Sequence, residues 1–380
     1  MSRHYLDYAS TSPLRPVAHQ AMLQALEFAA ADPSRIYTEA LTTRQLLEFG
    51  RQSVADYCRA RPREVVFVSS ATEGLVSAIW SISHTVENPT IITSAVEHSA
   101  VTQAAARSGQ VTTMSVDSTG LFDPDDVGRA IDAVRADGGT VALFACQWVN
   151  HEVGMVQPLE RAIAAAKERQ VPVLVDAAQG VGRLPFDFSS LGADVVVFSG
   201  HKVGGPAGTG VVLVRQGFRT PPFLVGGAQE RLRRAGLENV VGAVGLGAAC
   251  AELADTETEE RNRSSVWSET VRECLSALDG VTLHGPSSPE HQAPHIVSAS
   301  IADIEPQAIL LSLDQAGVSV HSGSACAAED IEPSPVLQAM GVDADRSLRV
   351  STGWATTDAD VDAFCDAAPA AITKLRALRG

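Results

Sequence analysis

Between about residues 60 and 215 the chain alternates short, nearly continuous runs of Val, Ile and Leu with stretches of helical periodicity. The apolar runs fall at 65–68, 91–93, 111–116, 141–145, 171–175, 195–198 and 211–214. Runs this short and this uniformly apolar suit strands buried on both faces, as in parallel sheets. Stretches 124–136 and 159–169 between them read as helices. Strand and helix in alternation predict a mostly parallel central sheet with helices on both faces, an α/β fold. Ligands of such sheets bind beyond the carboxyl ends of the strands. The residues that follow each apolar run are therefore the ones to inspect.

The pattern changes after Gly247. A long charged helix is predicted from about residue 248 to 278, its charges forming a solvated face. Short strands and helices then alternate to the C-terminus. The chain thus divides into a large α/β domain, 14–250, and a smaller α+β domain made of 1–13 and 251–380. Its 380 residues are enough for two cores. A formal charge of −16 removes the basic footprint that a phosphate backbone requires, so nucleic acid is not expected as a direct partner. No apolar run approaches the roughly 20 residues of a membrane span. The first residues lack the apolar core of a signal peptide, and a cytoplasmic location is expected. The six cysteines are scattered without a CxxC pair, which predicts reduced thiols and no metal centre.

Three strand tails carry polar residues of interest. After run 65–68 comes Ser69-Ser70-Ala71-Thr72-Glu73-Gly74, followed by a helical pattern. Backbone N–H groups at a helix start, with a hydroxyl beside them, form an anion cup; Thr72 read simply as a helix cap fits equally well. After run 171–175 comes Asp176, a carboxylate at the end of a buried strand. Such a group needs a cation or several donors facing it, whether a structural ion pair or a protonated ring nitrogen. After run 195–198 comes Ser199-Gly200-His201-Lys202, with glycines following. The chain has only three lysines, Lys167, Lys202 and Lys374. Lys167 and Lys374 lie in charged helical patterns, so Lys202 is the one candidate for amine chemistry, the formation of a Schiff base with a carbonyl cofactor.

An anion cup, an Asp and a Ser-x-His-Lys in this order resemble the class V aminotransferase-like family of fold type I pyridoxal phosphate enzymes. Within it the chain resembles the NifS/IscS-type cysteine desulfurases. The likeness runs from Tyr5-Leu6-Asp7-Tyr8-Ala9 through Glu97-His98, Asn150-His151-Glu152-Val153-Gly154 and Asp176-Ala177-Ala178-Gln179 to Ser322-Gly323-Ser324-Ala325-Cys326 and Arg349-Val350-Ser351. It implies pyridoxal 5'-phosphate as cofactor, with Lys202 on its aldehyde, Asp176 on its pyridine nitrogen, Gln179 on its phenolic oxygen and His98 stacked on its ring. Ala71, Thr72, Ser199 and His201 match the phosphate-binding positions. Asn150, His151 and Arg349 match substrate-binding positions, Arg349 gripping the carboxylate of L-cysteine. A homodimer is implied too, since sites of this fold are completed at a subunit interface.

Cys326 separates the desulfurases from their relatives. Its neighbours Ser322-Gly323-Ser324-Ala325 and Ala327-Ala328 are small, whereas a core cysteine has large apolar neighbours. The pattern predicts a mobile, accessible thiol, as a sulfur acceptor requires. The resemblance implies that L-cysteine becomes L-alanine while Cys326 keeps the sulfur as a persulfide for a protein acceptor. His98 would handle protons at the thiols. Two positions depart from the family: His151 replaces the second Asn of Asn-Asn-Glu, and Leu237 replaces the Thr of Arg-Ser-Gly-Thr, which reaches the partner's cofactor phosphate. Another activity on the same scaffold (a cysteine or selenocysteine lyase, an aminotransferase or an epimerase) would leave Cys326 without a role. A silent binding partner would leave the whole set without one.

Overall fold

The structure is a computed structural model that describes residues 3–323 and 333–378; Cys326 lies outside the described residues. A short strand, β1 (His4–Tyr5), comes first. Seven strands then form one sheet: β2 (Val65–Val68), β3 (Pro89–Ser94), β4 (Gln110–Met114), β5 (Thr140–Gln147), β6 (Val173–Asp176), β7 (Val195–Ser199) and β8 (Gly210–Val214). Their order is β2-β8-β7-β6-β5-β3-β4. The pairs β3–β4, β3–β5, β5–β6 and β6–β7 are parallel. β8 alone is reversed, antiparallel to both β2 and β7. The short connection 200–209 accounts for this, because a parallel crossover needs roughly a dozen residues or more.

The sheet is covered on both faces, as its apolar runs require. In β6, Val173 and Val175 join one core while Leu174 joins the other. Likewise Phe67 of β2 faces the first core, and Val66 and Val68 face the second. This is the period-two alternation of a strand buried on both sides. The sheet's loop-bearing edge collects the carboxyl ends of β2, β3, β5, β6 and β7.

A 37-residue helix, Val240–Ser276, runs through residue 250 and joins the two parts of the chain. It starts earlier than its charge pattern suggests, because its first two turns are uncharged and buried. There Gly247 lies against Gly50 of helix Thr38–Tyr57, so close that a Cβ would stand 2.7 Å from the Gly50 Cα. Its far end supplies Trp267, Val271 and Leu275 to a separate core. That core also holds β9 (Val281–His284), β10 (Ile296–Ile301), β11 (Val318–Ser319), β12 (Ser347–Ser351) and the last helix, Asp358–Ala377. β9, β10 and β12 form an antiparallel sheet, and β11 pairs with β1.

Arg15 pins this long helix to the loop after β7. Its Nε donates to the Val203 carbonyl at 3.0 Å, and its Nη atoms donate to both oxygens of Glu260 at 2.7 and 2.8 Å and to Glu252 at 2.8 Å. Arg15 and Glu260 are both buried. Removing one partner of such a pair strands the other charge in a dry interior, which costs about 3–5 kcal/mol. Arg15→Ala should therefore lower the thermal unfolding midpoint of the apoprotein markedly. Arg15→Met combined with Glu260→Gln should recover much of the loss, as followed by calorimetry.

Candidate functional site

The carboxyl ends of β2, β5, β6 and β7 and the loop after β3 enclose a cavity of about 250 Å³. At β2, helix Ala71–Ser83 begins here, capped by Ser70, whose Oγ accepts from the Glu73 N–H at 3.1 Å. Thr72 is thus not the cap; it stands in the first turn and lines the cavity with Ala71. Gly210 of β8 permits this approach, since a Cβ there would lie 2.7 Å from the Ser70 carbonyl carbon. Ser199 and His201, from the end of β7, line the same end of the cavity. The Ser199 Oγ is buried with no partner among the described residues. His201 approaches the Thr11 Oγ1 at 3.1 Å, and burial pushes its imidazole down to about 4, so it is neutral. Free N–H groups at a helix start, an unpartnered hydroxyl and a neutral imidazole together form a cradle suited to a phosphate.

Lys202 also lines the cavity. Burial lowers its amine to about 8, Arg349 pushes it further down, and Asp176 and Asp7 oppose the shift. Its Nζ donates to the Ala9 carbonyl. Lys167, by contrast, is half-exposed and paired with Asp194 at 2.5 Å. Asp176 at the tip of β6 accepts from the Ala178 N–H at 2.9 Å, and burial raises its carboxyl. Behind it lies Glu97, raised by burial to about 8 and hence neutral, accepting from the Ser94 Oγ at 2.5 Å. Asp176 is therefore the carboxylate available to a cation in the cavity.

His98 precedes helix Ser99–Ser108, and its Nδ1 accepts from the Ala100 N–H at 3.1 Å. That bond leaves the imidazole proton on Nε2. Burial lowers its titration; Asp176 opposes and Lys202 adds to the shift. The His151 ring stands edge-on to it, centroids 5.0 Å apart. His151 is held neutral by burial and by His98, Arg349 and Lys202, and its Nδ1 has no partner among the described residues. Asn150 does not line the cavity. Its Nδ2 donates to the Val96 carbonyl at 3.1 Å, and its Oδ1 accepts from the Glu152 and Val153 N–H groups at 2.9 Å, so its amide shapes the loop that presents His151.

Arg349 on β12 reaches the site from the C-terminal part. Its guanidinium donates to the His151 carbonyl and the Ser10 Oγ at 2.8 Å and to Asp7 at 3.0 Å, while its Nε has no partner among the described residues. Gln179 donates from Nε2 to the Ala9 carbonyl at 2.7 Å. Sequence reasoning did not single out Asp7, Ala9, Ser10, Gln147 or His295, all of which belong to this site or its wall. Only Asp7 and Ala9 carried a signal, as members of the quoted N-terminal motif. Cys326 lies outside the described residues. Among the described residues no cluster of His, Cys, Asp or Glu is placed to hold a metal, and no helix is long and apolar enough to cross a membrane. A larger cavity of about 510 Å³ beside Phe218 and Leu224 is mainly apolar and carries none of these groups.

A phosphate cradle, a carboxylate and a desolvated amine around one small cavity fit pyridoxal phosphate. The model of the aminotransferase class-V family matches residues 4–364. A cysteine desulfurase IscS of Dictyoglomus turgidum is 35% identical, over 98% of this chain and 95% of its own length. One from Methanosarcina thermophila is 36% identical, over 98% and 92%. A solved NifS-like protein superposes with a TM-score of 0.87 at 27% identity, covering 99% of each chain. A structure of SspA in complex with cysteine gives 0.80 at 27% identity, over 92% of this chain and 99% of SspA.

An amine near 8 must be deprotonated to attack an aldehyde. The rate at which apoprotein takes up pyridoxal phosphate should therefore climb about tenfold per pH unit below pH ~8 and level off above it. Asp176→Asn removes a charge that holds the amine up, so its midpoint should move to lower pH. Stopped-flow absorbance would read both.

Proposed function

The chain belongs to the aminotransferase class-V family and is a cysteine desulfurase, and from that premise we propose how its own residues carry the reaction. Pyridoxal phosphate, when bound, supplies the electron sink that acidifies the α-hydrogen of an amino acid. Ala71, Thr72, Ser199 and His201 would hold its phosphate, Asp176 its pyridine nitrogen and Gln179 its phenolic oxygen. His98 would cover its ring. Lys202 would hold its aldehyde carbon, and its amine is the base that would carry the α-proton of the substrate. A lysine titrating near 8 is poised for that task near neutral pH.

L-Cysteine is the substrate. The Arg349 fork takes its carboxylate in a bidentate pair, the Ser10 and Asp7 contacts giving way to it. His151 packs against the same end of the cavity beside His98, where two neutral imidazoles can exchange a proton with a thiol. The Cys326 thiolate attacks the substrate sulfur. The new S–S bond forms as the C–S bond breaks, the electron pair staying with the substrate carbon, which is protonated and leaves as alanine. The persulfide on Cys326 passes to a protein acceptor in the cytoplasm. The observation that supports this reading most is the convergence of Lys202, Asp176, His98 and a phosphate cradle on one cavity.

Cys326→Ala should bind cofactor and cysteine and show the early spectral changes, while alanine and sulfide release fall by orders of magnitude. Each of the other five cysteines should be replaceable with effects on stability alone. Unchanged alanine formation in Cys326→Ala, measured by amino-acid analysis, would replace the persulfide route with elimination.

The working form in this proposal is a homodimer. Phe223, Val225, Leu232 and Leu237 stand out from the loop between 218 and 237, with Val225 75% exposed. Glu230, Arg231 and Leu232 there take consecutive positive φ values, a strained path that a partner surface would help to hold. Sedimentation should give twice the 39.9 kDa chain mass. Leu237→Thr should slow cofactor loss on dialysis by restoring a donor for the partner's phosphate site.

A further inference from the structure

His295 ends the loop before β10 and is fully buried. Its Nε2 lies 3.2 Å from the Gln179 Oε1, across 116 residues of sequence. The other end of the Gln179 amide donates to the Ala9 carbonyl at 2.7 Å. A carbonyl can only accept, so the NH₂ of Gln179 must face Ala9 and its oxygen must face His295. That oxygen also only accepts, so His295 carries its proton on Nε2. Its Nδ1 is then a bare lone pair, and it is indeed buried without a partner among the described residues. The charged groups that bear on the ring, Arg183, Lys202 and Arg349, are all cationic and, with burial, keep it neutral.

This relay has one opening. The Gln179 NH₂ has two N–H groups; one is used by Ala9, and Gln179 lines the cavity, which leaves the second for an acceptor there. We propose that His295 is a positioning residue that fixes the Gln179 amide so that an N–H, and not the carbonyl, meets the cofactor's phenolic oxygen. The proposal rests on the reading of Gln179 given above and adds the group that sets its orientation. His295 is also tied to the strand that carries Arg349: its carbonyl accepts from the Thr352 N–H at 3.0 Å, one residue beyond β12. His295 thus sits just before the strand that pairs with the one carrying Arg349.

A donor on the phenolic oxygen stabilises its negative charge and so weakens the hold on the neighbouring proton of the lysine-bound cofactor. Loss of that donor raises the pH midpoint of the cofactor's visible absorption band. In the holoenzyme, Gln179→Leu should raise the midpoint by about one pH unit, the effect of one charge-assisted hydrogen bond. His295→Leu should raise it by at least half as much, since the amide oxygen loses its only donor among the described residues and the amide loses its anchor. His295→Gln, which returns an N–H at similar reach, should restore it. A shift in Gln179→Leu with none in His295→Leu overturns the positioning role and leaves the Gln179 contact standing. No shift in Gln179→Leu removes that contact and this proposal with it. Should His295→Leu fail to fold, the wild-type apoprotein still decides. ¹⁵N NMR of labelled imidazoles, with His295 assigned from His295→Gln, should show a proton on Nε2 and no titration between about pH 6 and 9. A proton on Nδ1 overturns the inference.

Discussion

Removal of one amine from water governs this site. Lys202 sits just beyond β7, partly buried at the cavity, and its titration falls from that of a solvent lysine to about 8 because burial penalises the ammonium form. Everything near it balances that penalty. Arg349 adds to it; Asp176 and Asp7 resist it. The Ala9 carbonyl gives the amine a hydrogen-bond partner that does not change its charge. A fully exposed lysine would stay protonated and inert toward a carbonyl, and one buried without a partner would carry the full cost of an orphaned polar group.

The N-terminal segment is what makes this balance possible. β1 adds to β11 of the C-terminal part, and the chain then crosses to the strand ends of the large sheet. On the way it delivers Asp7 and Ser10 to Arg349 and the Ala9 carbonyl to both Lys202 and Gln179. Ser351 on β12 holds the segment by donating its N–H to the Leu6 carbonyl at 2.8 Å. Arg15 then fastens it to the long helix. Residues 7–10 therefore help to build the site, which their short, polar character does not suggest.

Much of the fold was legible because strand and helix periods are local. The apolar runs fall on the observed strands, and helices Asp125–Ala136 and Leu159–Glu168 appear where the periodicity puts them. The reversed β8 was not: the two apolar runs stand twelve residues apart, and only the observed strand ends shorten the connection to ten, too few for a crossover. The early start of helix Val240–Ser276 was hidden by its small residues, since Gly245 and Gly247 oppose helix formation locally and are kept by close packing against neighbouring helices.

What the sequence determined by itself was the inventory and its order: a lysine census that left Lys202, an Asp at one strand tail, a hydroxylated helix start at another, and a cysteine among small residues. Those follow from side-chain identity and short-range pattern. Tertiary structure decided the states of these groups. That Glu97 is neutral, that Asn150 shapes a loop, that His151 faces His98 edge-on and that Arg349 pairs with Asp7 depend on burial and on neighbours far along the chain. Proton occupancy follows local dielectric and nearby charge, and hydrogen-bond direction follows three-dimensional partners; neither is a property of a residue read in its sequence neighbourhood.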